Sequence, residues 1–197
     1  MYSLLSHFSK TEVFMRTLKA LLRPLPLIAI MTLGLPASGH AADSASLEWA
    51  SGNQTQMLRL GAQWLWTEPW WQGNGSQIGG YWDLTLAHWR GQHYKDSADA
   101  RQDLTSVGIT PVLRWQQDSK LGFYGEVGIG LHLLSDTYDN NGHTLSGNLQ
   151  FGDHIGIGYV FDNHVDVSFK IQHFSNGGVQ KPNDGTNFVV IKIGRTF

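Results

Sequence analysis

Cysteine is absent from the 197-residue chain. That excludes disulfides and every metal or cluster held by thiolates. Charge is sparse: Asp, Glu, Lys and Arg make up 15% of residues, with a formal balance of −2. Nucleic-acid binders usually carry a basic excess, so that class is disfavoured. Beyond residue 42 there is no apolar run near the roughly 20 residues of a membrane-spanning helix. His88, His93, His132, His143, His154 and His164 are scattered without metal-ligand spacing, and the Gly-rich spots match no phosphate loop. Neither a metal nor a cofactor is expected.

The start of the chain reads as an address. Arg16, Lys19 and Arg23 precede the apolar run Leu25–Met31, and small residues follow up to Ala41-Ala42. This is the order of a secretory signal peptide. The expected division is a leader over 1–42, with Met15 a candidate start, and a single domain over 43–197. Four basic residues (Lys10, Arg16, Lys19, Arg23) against one acid (Glu12) give the leader +3, so the remainder carries −5 of the total −2. An exported domain of that size without disulfides needs another source of stability, and closing a sheet into a barrel supplies one.

What the domain does contain is alternation. Period-2 segments fall near 45–50, 57–66, 78–90, 102–115, 121–134, 147–161, 164–175 and 186–197. In 121–134, Phe123, Val127, Ile129, Leu131 and Leu133 alternate with Gly122, Tyr124, Glu126, Gly128 and His132. The expectation is an all-β, eight-stranded antiparallel transmembrane barrel. Asp83, Glu126, Asp166, Lys170 and Lys192 would face a polar interior, and apolar residues would face lipid. Eight Trp and six Tyr suit aromatic girdles at the interfaces. Short connections at 116–120 and 161–163 read as periplasmic turns, and long ones at 91–101, 135–146 and 176–185 as external loops. The long stretch 67–77 breaks this rule.

One segment breaks the alternation in a telling way. In Val165–Ser175, Val165, Val167, Phe169 and Ile171 share a parity, and His173 and Ser175 continue it. Both side chains therefore point toward lipid, with Cα atoms roughly 6.6 Å apart, close enough for an imidazole to reach a hydroxyl. A serine and a histidine so placed suggest a nucleophile and its base, and a lipid-facing site suggests a lipid substrate.

The stretch His173-Phe174-Ser175-Asn176-Gly177-Gly178 leading into Pro182-Asn183-Asp184-Gly185 resembles the PagL family of lipid A 3-O-deacylases. Phe151-Gly152-Asp153-His154, Trp64-Leu65-Trp66 and Trp70-Trp71-Gln72 extend the resemblance over the whole domain. It implies a multi-pass barrel in the Gram-negative outer membrane that hydrolyses the ester at position 3 of lipid A with a Ser-His-acid triad. Carried over, Ser175 is the nucleophile, His173 the base, and Asn176 the oxyanion-hole residue, with a backbone N–H of the Gly177-Gly178 turn, taken as Gly178, as partner. Asp153 and Asn183 match recurrent positions near the site. The family's acid is a glutamate fourteen residues after the histidine; Asn187 stands there instead. Either Asn187 orients His173, or Asp184 or Asp153 does. The implied partners are lipopolysaccharide and the surrounding outer-membrane lipids, with a homodimer left open and no nucleic acid. The competing readings are a non-enzymatic small outer-membrane barrel and a lipid acyltransferase.

Overall fold

The computed structural model describes residues 41–197. The expected leader lies outside the described residues except for Ala41 and Ala42. Eleven strands are present among those residues: β1 (Ser44–Gly52), β2 (Thr55–Leu65), β3 (Trp71–Gly73), β4 (Ser76–Gly91), β5 (Gln102–Gln117), β6 (Gly122–Leu134), β7 (Tyr138–Asn140), β8 (His143–Leu145), β9 (Leu149–Val160), β10 (Val165–Ser175) and β11 (Thr186–Thr196). Eight of them, β1, β2, β4, β5, β6, β9, β10 and β11, form an antiparallel sheet in the order β2-β1-β11-β10-β9-β6-β5-β4. Pairing of β2 with β4 closes it, so the barrel has no free edge. The expected alternating segments and the barrel strands coincide to within a few residues at their ends.

The first and last described residues meet at one end of the barrel, where the Phe197 N–H donates to the Asp43 carbonyl at 2.9 Å. The short connections 118–121 and 161–164 lie there too, together with the long 66–75 segment that contains β3. The opposite, loop end carries 92–101, 135–148 and 176–185. It also has one tight turn at Asn53-Gln54, whose φ values of 45° and 53° suit the mirror-image turn favoured between twisted strands.

The parity reading holds along every barrel strand. Leu60, Ile129, Ile157, Phe169 and Ile191 are exposed on the outer face. That makes an apolar belt of the kind a bilayer covers and water does not. Asp83, Glu126, Asp166, Lys170 and Lys192 are all buried inside. Four of these five join ion pairs: Lys170 with Glu48 at 2.8 Å, Glu126 with Arg114 at 2.8 Å, and Asp166 with Arg114 at 3.1 Å and with Lys192 at 3.5 Å; Arg59 also pairs with Glu48, and Asp83 instead accepts from Gln63 Nε2 at 2.7 Å. Buried ions persist only when paired or hydrogen-bonded in this way.

The interior is layered rather than polar throughout. Toward the loop end the charges give way to a cluster containing Met57, Trp89, Leu104, Tyr138, Leu145, Phe174 and Phe188. Trp89 is thus a core residue, whereas Trp70, Trp71, Trp82 and Trp115 are exposed near the terminal end as girdle residues should be.

Candidate active site

Strand β10 presents the site because its alternation runs to its last residue. Phe174 points inward, fully buried, edge-on to Trp89 at 4.8 Å between ring centroids and to His132 at 5.0 Å. Its neighbours His173 and Ser175 must then project from the outer face. An anchored aromatic at the middle position fixes the direction of both polar side chains.

His173 stands in register between Asn187 on β11 and Asp153 on β9. Its Nδ1 lies 2.8 Å from Asn187 Oδ1. An amide oxygen can only accept, so Nδ1 carries a proton, and in the neutral ring Nε2 is then the acceptor. Asp153, whose Cβ lies roughly 5 Å from that of His173 by register, makes no hydrogen bond to the ring. Asp184 is turned away: its Oδ2 accepts the Thr144 N–H at 2.8 Å and its own N–H donates to the Thr144 carbonyl at 3.1 Å. Of the three residues expected to orient the histidine, Asn187 alone makes the contact. Ser175 Oγ accepts the Gly177 N–H at a long 3.5 Å, and no hydrogen bond joins Ser175 to His173.

The connection 176–185 is tightly braced. Asn176 Nδ2 donates to the Ser146 carbonyl at 2.9 Å and to the Gln180 carbonyl at 2.8 Å, while its Oδ1 accepts the Gly178 N–H at 2.9 Å. The Asn176 N–H donates to Asn183 Oδ1 at 2.9 Å. Gly185, at φ 70°, lies against the imidazole of His173, where a Cβ would come within 2.5 Å of Cε1.

Residues 56–196 match the family model described as lipid A 3-O-deacylase (PagL). The chain belongs to the PagL family. It is 34% identical over 166 residues to the lipid A deacylase PagL of Pseudomonas aeruginosa, covering 83% of this chain and 91% of that one. It is 29% identical over 171 residues to the lipid A deacylase PagL of Bordetella bronchiseptica, with the same coverage. The crystal structure of the outer membrane enzyme PagL superposes with a TM-score of 0.66 at 27% identity, covering 78% of this chain and 99% of that chain. The protein is thus an outer-membrane barrel of the PagL kind.

Within this site the donors expected to form the oxyanion hole have partners inside the loop. Both hydrogens of the Asn176 amide and the N–H of Gly178 are already donated inside the loop. An oxyanion at these donors would take the place of these internal bonds. The donor that reaches Ser175 itself is the Gly177 N–H.

The residues that brace the loop were missed in the sequence. His143 and Thr144 belong to the β7–β8 hairpin and Ser146 follows it, all within the 135–146 stretch expected as a polar loop. The Asn141-Gly142 pair between Tyr138 and Leu145 was the available signal, since Asn-Gly between apolar residues favours a two-residue hairpin. Both adopt positive φ, 50° and 73°.

Proposed function

We propose that the protein hydrolyses the ester-linked acyl chain at position 3 of lipid A, working at the outer leaflet with Ser175 as nucleophile and His173 as general base. The loop end then faces the cell exterior, and residues 43–197 are the mature enzyme after removal of a leader. The observation that carries the reading is the Asn187-held tautomer of His173 on a lipid-facing surface, two residues from Ser175.

Ser175 Oγ swings from Gly177 toward Nε2 by one χ1 rotation and attacks the ester carbonyl, while its proton passes to Nε2. The tetrahedral oxyanion is held by Asn176 with the Gly178 N–H once the loop releases their internal bonds, and by the Gly177 N–H beside Ser175, a contribution worth about 10²–10³ in kcat per donor in comparable enzymes. Collapse expels the 3-oxygen of the sugar, which takes the proton from Nε2, and leaves an acyl-serine. Water then attacks under the same base, so the products are a free fatty acid and a lipid A with a 3-hydroxyl.

Lipid A mass spectrometry of Gram-negative cells with and without the gene tests it. Loss of one acyl chain from position 3, with the fatty acid released, is expected. Unchanged lipid A would favour a non-enzymatic barrel, and a chain reappearing on another lipid would favour an acyltransferase.

A further inference from the structure

The hairpin formed by β7 and β8 zips onto the loop that follows Ser175. Thr144 exchanges backbone and carboxylate bonds with Asp184, the Ser146 N–H donates to the Pro182 carbonyl at 3.1 Å, and Leu145 bridges to Asn183. At the end of this zip His143 Nδ1 lies 2.6 Å from the carbonyl oxygen of Gly185. A carbonyl accepts only, so Nδ1 is the donor. Gly185 in turn lies against the imidazole of His173. Its left-handed φ of 70° is open to many alternatives in a glycine, so something outside the residue must hold it.

We propose that His143 is a positioning residue: its Nδ1–H fixes the Gly185 carbonyl, and through Gly185 it keeps the His173 ring in the plane where Asn187 accepts from Nδ1 and Nε2 faces Ser175. The proposal rests on the reading of His173 as the base, but its geometric half can be tested without activity. Gly185 forms one wall of the histidine's slot. A wall free to move lets the ring rotate away from Asn187, and a displacement of about 1 Å in a reacting group costs on the order of 10²-fold in rate. His143 does not touch the ester, so substrate affinity should hardly change. The external loop 135–148 thereby acts on catalysis through the loop it clasps.

The test compares wild type, His143→Ala and His143→Asn as full-length folded barrels in detergent micelles. Asparagine places an amide N–H near the position of Nδ1. Two readouts are taken on each: kcat and KM on lipopolysaccharide, and the imidazole 15N signals of His173. The expected result for His143→Ala is a kcat lower by about 10- to 100-fold with KM within about twofold, together with His173 signals that shift from a protonated Nδ1 toward averaged tautomers. His143→Asn should return kcat to within about threefold of wild type and restore the nitrogen signals. Unchanged His173 signals in His143→Ala overturn the proposal, as does an asparagine variant no better than alanine. Should the wild-type barrel release no acyl chain, the functional reading fails by itself, and the nitrogen signals still decide whether His143 sets the ring.

Discussion

Asn187 accepts a hydrogen bond from His173 Nδ1 at 2.8 Å, the two residues standing directly opposite on β11 and β10. The contact performs one of the two tasks of a triad carboxylate and leaves out the other. It fixes the tautomer, because the amide oxygen faces the ring. It brings no negative charge to an imidazolium. In a serine protease, asparagine in the acid's place costs about 10⁴-fold because it selects the wrong tautomer. Here the correct tautomer is kept, so the penalty should be limited to the missing charge.

Asn187→Ala should therefore lower kcat by about 10- to 100-fold, and Asn187→Glu should match or exceed wild type by up to about tenfold. Asp153→Asn and Asp184→Asn should change kcat by less than about threefold, since neither carboxylate bonds to His173. Parallel rates for the four variants decide the matter, and a fully active Asn187→Ala enzyme would show that another group orients the base.

Gly185→Ala should cost about 10²-fold in activity while the barrel still assembles. The added Cβ would sit 2.5 Å from His173 Cε1 at a φ of 70°, so either the ring or the loop must move. The assay is kcat beside a gel-shift measurement of folding, and near-wild-type kcat would mean that the loop yields without disturbing the histidine.

How far the sequence foretold this site follows from period. The outward direction of His173 and Ser175 and the inward direction of Lys170 are consequences of strand alternation, which a two-residue period makes legible. Facing of His173 by Asn187 and Asp153 was also accessible, because tight connections and matched parities set the register. The bracing of Asn176 by Ser146 and the reach of His143 to Gly185 depend on how two loops fold over one another, which no period encodes. Trp89 was counted among the girdle tryptophans although its parity is that of the interior, and the meeting of Phe174, Phe188 and Tyr138 around it shows that it is core.

Phe174→Ala should destabilise the barrel by about 3–5 kcal/mol, the usual cost of emptying a buried aromatic site. It should also impair activity, because Phe174 fixes the directions of the His173 and Ser175 side chains. The midpoint of heat-induced mobility change on a gel reads the first effect. An unchanged midpoint would mean that the apolar layer at the loop end repacks freely.

Glu48→Gln should also destabilise, by about 3–5 kcal/mol, because it leaves Arg59 and Lys170 buried without their shared carboxylate. Activity per folded molecule should stay at the wild-type level, since Glu48 is on the inner face and the site on the outer. The same midpoint, together with kcat normalised to folded protein, checks both halves.

The most direct test of the central claim is acyl-chain release from purified lipopolysaccharide by the refolded wild-type barrel and by its Ser175→Ala variant, followed by mass spectrometry of the lipid A. The wild-type protein should free the 3-linked fatty acid. The variant should fold equally well and be slower by at least about 10³-fold, as should His173→Ala and the double variant, because the two residues act as one unit. Release of the 3-linked chain by Ser175→Ala at the wild-type rate would contradict the account.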